Sequence, residues 1–309
     1  MVGPARRSVL VGAAALAAAG PAAAQGQGSR PARPAAAPTP ALVTYEAIRG
    51  GTLQLRAFFG RKTALLLDPS RSAERTSIER ILDAFDRGWE WYNGFFDVNP
   101  SAKYLLQGRV TIAEVANQGL RFGAVGVELL PSSTTLLLNE AARDRYNQSA
   151  FYSMGLNYWA CEEQLGKVEP FCYGFADVHR FHCMEAIGIT GAPWDVDLDF
   201  DHYRHSILIE HFDRYLADRT LNWQNTLGAG KAPSNSHGWG AAELAAGFYH
   251  RIRRDHGGAG YRRFWKLMLD APEAKTAKDC ASRFVQIARA ATGEDYRWMF
   301  KDQTLQLVY

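Results

Sequence analysis

Residues 151–187 read FYSMGLNYWACEEQLGKVEPFCYGFADVHRFHCMEAI. Two helix-like runs, Ser149–Ala160 and Tyr173–Ile187, flank a short loop that carries Cys161 and Cys172. Polar and titratable side chains crowd the second run: Tyr173, Asp177, His179, Arg180, His182 and Glu185. How these two helices meet, and what they present to one another, decides both the fold and the chemistry.

Upstream of this stretch the pattern is mixed. Thr52–Phe59 and Thr63–Leu67 read as strands joined by Gly60-Arg61-Lys62, a hairpin-like connection. In Ser77–Asn93 the residues Ile78, Ile81, Leu82, Phe85, Trp89 and Tyr92 recur at three- and four-residue spacing, the period of a helix buried on one face. Arg109–Ala116 is expected to be a strand, followed by strands at Val125–Leu130 and Thr134–Leu138 with Pro131-Ser132-Ser133 as the turn between them. Downstream of Asn139 the chain turns almost wholly helical, with Asp201–Leu216, Gly240–His256, Gly260–Leu269 and Thr276–Thr292 as the main runs. Thr276 with Asp279 forms a capping-box-like start, and Gly293 stands where a helix stops. Strands first and helices after define an α+β fold: a small N-terminal mixed sheet packed on a mainly helical C-terminal half.

The first residues are an address. Arg6-Arg7, an Ala-rich apolar run to Ala19 and Ala22-Ala23-Ala24 make an export signal of the twin-arginine type over residues 1–24. The apolar run is too short to remain as a membrane span. Residues 25–41 (QGQGSRPARPAAAPTPA) cannot bury a core and are expected to form a disordered Pro/Ala linker, leaving 42–309 as a single domain. The expected destination is the periplasm or the exterior, with no transmembrane segment in the mature chain. A formal charge of +3, with two of the arginines in the signal, gives no argument for a nucleic-acid partner or an anionic membrane. The local basic clusters Arg251-Arg253-Arg254 and Arg262-Arg263 read as a solvated helix face.

All four cysteines, Cys161, Cys172, Cys183 and Cys280, lie in the exported part, and an even count in an oxidising compartment suggests disulfides. One pairing joins Cys161 to Cys172 across the loop and Cys183 to Cys280. The other reading is buried free thiols, above all for Cys183 and Cys280 inside helical runs.

The order of elements and a few short motifs resemble the gluzincin type of zincin metallopeptidases, including the plant and bacterial basic secretory proteins. Met154-Gly155-Leu156-Asn157 looks like the L-G-H-N part of an H-E-L-G-H-N motif on the first of two helices. Tyr173-Gly174-Phe175-Ala176-Asp177, with Arg180 after it, looks like an E-G-I-A-D segment with its following arginine on the second. The run Phe284–Phe300 is similar to the closing helices of such proteins, and the likeness extends over about Leu42 to the end. The resemblance implies a zincin-like domain with two metal-ligand helices. It also implies that the ligands are gone. Tyr152 and Leu156 stand at the two histidine positions, Ser153 at the general base and Tyr173 at the third ligand. Leucine has no donor atom, a phenol must lose a proton of pKa near 10 to bind zinc well, and serine cannot do a glutamate's proton work near neutral pH. No cofactor is therefore expected at that place.

Three readings follow. The first is a metallopeptidase-like protein with a degenerate zinc site that binds a peptide, a glycan or an envelope protein in the old cleft without hydrolysis; the dense aromatics, among them Tyr152 and Tyr173, suit sugar rings or apolar side chains. The second is a metal-dependent hydrolase or peptidase. It would hold a transition metal on His179, His182, His202 and His205, two H-x-x-H pairs each on one helical face. Against it stands the reading of His205 as a core residue in a stripe with Leu208, Phe212 and Leu216. The third is a calcium-stabilised structural module built on Asp195, Asp197, Asp199 and Asp201, which alternate with apolar residues and place their carboxylates on one side of an extended strand. The competing reading of that run is an acidic loop ending in a helix N-cap at Asp199 or Asp201.

Overall fold

The strands come first in the chain because β-branched and leucine-rich runs alternate there with turn residues. In a computed structural model, which describes residues 40–193 and 198–307, β1 (Ala41–Glu46), β2 (Thr52–Phe59), β3 (Thr63–Leu67), β4 (Val110–Glu114) and β5 (Val127–Leu129) form one five-stranded sheet in that order. The β1–β2 and β2–β3 pairs are antiparallel, whereas β3–β4 and β4–β5 are parallel. A parallel pair needs a crossover, and α1 (Arg75–Phe96) supplies it between β3 and β4. β3 is buried along its whole length, since its side chains serve two cores. Leu65 and Leu67 face the large core with α1, while Ala64 and Leu66 face a small cluster with Tyr45, Leu55, Ala57 and Val115.

The β2–β3 turn is pinned by one carboxylate. Asp86 of α1 accepts the backbone N–H groups of Arg61 (2.6 Å), Lys62 (2.9 Å) and Thr63 (2.8 Å) and the Thr63 hydroxyl (2.8 Å). These hydrogen bonds, with the Arg61 guanidinium 3.7 Å away, offset the cost of burying the carboxylate.

Beyond the sheet run α2 (Pro131–Ala141), the short β6 (Arg145–Tyr146), α3 (Gln148–Leu156), α4 (Glu162–Leu165), α5 (Glu169–Ala186) and β7 (Thr190–Gly191). They are followed by α6 (Phe200–His205), which runs through a π-helical segment, Ser206–Glu210, into α7 (His211–Ala217). Last come α8 (Ala241–Leu269), α9 (Ala277–Thr292) and α10 (Arg297–Phe300). The fold is α+β, and the described residues belong to one compact unit. The expected signal at 1–24 and nearly all of the expected linker lie outside the described residues; the linker's last residue, Ala41, opens β1.

Several expectations need correction. Thr134–Leu138 is helix, not strand: Pro131 sits in the first turn, where its fixed φ favours a helix start, and Thr134, Leu137, Leu138 and Ala141 bury one helical face. The Gly240–His256 and Gly260–Leu269 runs form one span with a kink at Gly257, whose φ of 66° a helix cannot accommodate. The first helix of the 151–187 stretch ends at Leu156, and the second begins a turn earlier than Tyr173. Thr276 and Asp279 do cap α9, and Gly293 ends it in the left-handed conformation. The disulfides do not form: all four cysteines are free and buried. Cys183 lies against the carbonyl of Gly88 on α1. Burial pushes the thiols of Cys161 and Cys172 well above the ordinary range and that of Cys280 to about 11.

The two helices of the 151–187 stretch approach closely because small residues stand at their crossing. A Cβ on Gly155 of α3 would lie 3.0 Å from the Tyr92 hydroxyl and 3.4 Å from the Ala176 Cα. On its other side α5 packs against α8, where a Cβ on Gly174 would sit 2.6 Å from the Ala245 Cβ and 2.7 Å from the Ala242 carbonyl oxygen. Asn157 locks the end of α3 to the loop before β5, accepting from Gly126 N–H (3.0 Å) and donating to the carbonyls of Gly126 (3.0 Å) and Arg121 (3.2 Å). Gly155, Asn157, Gly174 and Ala176, four of the residues that carry the resemblance, thus serve packing.

Candidate binding cleft

α5 is the axis of the site. Tyr173, Asp177 and Arg180 recur at spacings of four and three, so they share one face. That face opens on a cleft of about 450 Å³, completed by Tyr152 of α3, Tyr203 of α6, His237 and Trp239 of the loop before α8, and Glu243 in the first turn of α8.

Each wall is held by local chemistry. Asn235 folds the loop: its amide oxygen accepts from His237 N–H (3.1 Å) and Trp239 N–H (2.8 Å), and its amide nitrogen donates to the Trp239 carbonyl (2.8 Å). Gly238 between them has a φ of 77°, which a side chain would strain. The Trp239 indole N–H donates to the Ser206 hydroxyl (3.0 Å), placed by the π-helical segment. His237 stacks on Trp239 at 5.3 Å, and Tyr203 meets the same indole edge-on at 5.2 Å. Glu243 accepts the N–H of Gly240 (2.8 Å) and so closes the start of α8.

The polar centre is the Asp177–Arg180 pair, 3.2 Å apart and almost entirely buried. The guanidinium lies among the rings of Phe181 (4.5 Å), Tyr203 (5.4 Å) and Tyr152 (5.8 Å) and donates to the Tyr203 hydroxyl (3.4 Å). Burial raises Asp177 to about 7; the pull of Arg180 works against this, and the nearby Glu243 adds to it. Desolvation therefore outweighs the ion pair's attraction. Burial, then Asp177, holds the Tyr152 phenol well above the ordinary tyrosine range, and burial raises Tyr173 too. Both remain neutral hydroxyls at any physiological pH.

The residues at the ligand positions implied by the zincin resemblance part company here. Tyr152 and Tyr173 line one cleft. Leu156 is fully buried in the core, and Ser153 is nearly so. Two protonated phenols, a hydroxyl and a hydrocarbon do not fit a zinc ion, which needs about three donors able to bind as anions or neutral imidazoles.

Tyr173 also forms the wall of a second cleft, about 480 Å³, with Phe122, Trp159, Glu162, Glu169 and Cys172. Phe122 is 43% exposed and meets Tyr173 edge-on at 6.3 Å. Trp159 is fixed by its N–H to Glu162 (2.9 Å). The Cys172 thiol, raised by burial and then by Glu162 and Glu169, is not a nucleophile near neutral pH.

The four histidines proposed for a transition metal do not come together. His179 and His182 lie on the inner face of α5, fully buried. His202 is 78% exposed and bonds to Asp199 through Nδ1 (2.7 Å), and His205 is 52% exposed near Glu210. The π-helical turn after His205 shifts the register, so His205 leaves the Leu208–Phe212 stripe and His211 is buried instead, with its Nε2 3.3 Å from the Gly240 carbonyl. Among the described residues no group of three histidine, cysteine or acidic side chains is arranged to hold a metal. Of the acidic run, Asp195 and Asp197 lie outside the described residues, Asp199 is the N-cap of α6 and Asp201 is exposed beside Arg204.

The inner histidines form a cluster of their own. His179 Nδ1 donates to the Phe175 carbonyl (2.7 Å), and its ring stacks on Tyr261 at 5.5 Å. His182 Nε2 and His250 Nδ1 are 3.2 Å apart, linking α5 to α8. Burial lowers His179 to about 3, His250 to about 4 and His182 well below the usual range, with Arg253 adding to each. His179 and His182 are neutral core residues, and His250 is half-buried beside them.

No protein-family model matches this chain, and no curated protein matches it. Among solved structures it is similar to a conserved protein of unknown function from Bacillus anthracis str. Ames, with a TM-score of 0.54 and 9% identity over 82% of this chain and 49% of that one. A mutant form from the same organism gives 0.51 and 10% over 80% and 48%. Metallopeptidases follow at lower scores, among them the M60 catalytic domain from Clostridium perfringens ZmpC in complex with the sialyl T antigen, at 0.46 and 11% over 82% and 47%. The chain spans about half the length of these structures, and at such identities the likeness speaks to fold alone.

Proposed function

We propose that this chain is an exported, zincin-like protein whose cleft binds a glycan, free or on a peptide, without hydrolysing it. The observation that carries the reading is the meeting of Tyr152 and Tyr173, at ligand positions implied by the resemblance, in one cleft with Asp177, Arg180, Trp239 and His237. Neutral phenols offer hydroxyls that both donate and accept. The His237–Trp239 stack offers an aromatic surface to the C–H face of a sugar, and Asp177 with Arg180 offers polar groups already fixed in place. Few aimed polar groups among aromatic walls is the composition of a saccharide or peptide site. Asp177 is paired with Arg180 and Glu243 is engaged by the Gly240 N–H, so in this reading the same groups orient a ligand and leave its bonds intact.

Titration of the purified chain with a panel of glycans, glycopeptides and bare peptides tests this. Saturable glycan binding, weakened about tenfold or more by Trp239→Ala or Tyr173→Ala, is the expected result. Binding of bare peptides alone would replace the glycan reading, and chelator-sensitive proteolysis would end the non-catalytic one.

A further inference from the structure

Three of the arginines of α8 that read in the sequence as a solvated face, Arg253, Arg262 and Arg263, converge on a pocket of about 600 Å³ against α1. Its apolar wall is Trp91 and Phe95, stacked at 5.1 Å with 15° between their planes. Its charged wall is Arg253, Arg262, Arg263 and Lys266. Four like charges around one concavity repel, and acidic neighbours do little to offset them. Arg253 reaches Glu185 at 3.6 Å, but Glu185 also pairs with Arg204. Among the described residues no carboxylate pairs with Arg262, Arg263 or Lys266. Arg262 instead lies over the Phe95 ring at 5.4 Å. Gly258 and Ala259 complete the rim. They follow the break at Gly257, where the helix restarts, and the first N–H groups of a helix have no partner within it and carry partial positive charge.

We propose that this pocket binds a phosphate monoester carried on a ring, as in a sugar phosphate or a nucleotide. The arginine forks match the tetrahedral dianion, and the Trp91–Phe95 wall matches the ring attached to it. The site is separate from the Tyr173 cleft and does not depend on the reading given to that cleft.

Calorimetric titration of the full chain at low ionic strength with glucose 6-phosphate, AMP, inorganic phosphate and glucose tests the assignment. A saturable site that prefers one of the two ring phosphates to inorganic phosphate and ignores glucose is expected, and the better of the two identifies the ring. Arg262→Ala with Arg263→Ala should weaken binding roughly a hundredfold, as two charge-assisted contacts are lost. Gly258→Asp is a sharper variant. A Cβ there meets nothing within 4 Å, so the melting temperature should not fall, while a carboxylate on the rim among the cations should lower affinity at least about tenfold. Tyr173→Ala should leave this site unchanged. No saturable binding, equal affinity for inorganic phosphate, or an unaltered affinity in Gly258→Asp would overturn the proposal.

Discussion

α5 carries two polar faces with opposite fates. Outward, Tyr173, Asp177 and Arg180 border a cleft whose far wall comes from a loop and the start of α8. Inward, Phe175, His179 and His182 pack among Tyr261, Trp265 and His250. Titratable side chains occur on both, yet their settings differ. The outer pair is buried too, but it lines the cleft wall, and its charges are offset by one another and by aromatic faces. The inner histidines are stripped of water and held neutral. A metal-like spacing in the sequence, His179-x-x-His182, therefore serves the core, while Asp177 and Arg180 line the cleft.

The contrast can be broken most strongly by acid. In the unfolded chain His179, His182 and His250 take up protons near pH 6.5, whereas in the native chain they stay neutral down to about pH 4 or below. Asp177 acts in the other sense. Its native pKa of about 7 lies above the ordinary 3.8, so it contributes stability that is complete below pH 4 and lost as the pH rises through 7. Between pH 6.5 and 4 the unfolded state thus binds three protons that the native state does not, and the native state holds one that the unfolded state does not. Stability should fall on acidification through this window by about 3 kcal/mol per pH unit from these four groups. Urea denaturation at a series of pH values measures the slope.

A substitution on the inner face comes next in size. His182→Ala opens a cavity and leaves the His250 ring without its partner, at a cost of about 3 kcal/mol. Its denaturation midpoint should drop, while ligand binding in the cleft persists wherever the variant is folded. On the outer face Asp177→Asn removes the opposing proton, so stability should climb more steeply between pH 4 and 7, by about 1.4 kcal/mol per pH unit. Any inflection of ligand affinity near pH 7 should vanish with it. The smallest effect on folding belongs to Tyr173→Ala, expected to change stability by roughly 0.5 kcal/mol or less because the side chain is only partly buried, while cutting affinity about tenfold.

Much of the scaffold was legible because the signals are local. The periodic apolar stripe of α1, the Thr276–Asp279 box and Gly293 each act within one or two turns of helix. Thr134–Leu138 misled because a run of threonine and leucine satisfies a strand's composition, and only the first-turn Pro131 marks the helix. β1 was missed beside a proline-rich segment. In the cleft, Tyr152, Tyr173, Asp177 and Arg180 share neighbouring turns of two helices and were visible. Tyr203, His237, Trp239 and Glu243 arrive from elements dozens of residues further on, and no spacing rule joins them to α5. The crowded N-S-H-G-W-G run at 235–240, with Glu243 three residues beyond Gly240, was the available clue to a structured loop ending in a helix start.

In the reading proposed, the cleft works with neutral phenols and not with a bound ion. Equilibrium dialysis of the purified chain against zinc, followed by metal analysis, addresses it most directly in parallel with the Tyr152→Phe/Tyr173→Phe double variant, which loses only the two hydroxyl oxygens. Far less than stoichiometric zinc, the same in both proteins, is the expected result. Stoichiometric zinc in the wild type that disappears in the variant would contradict the account.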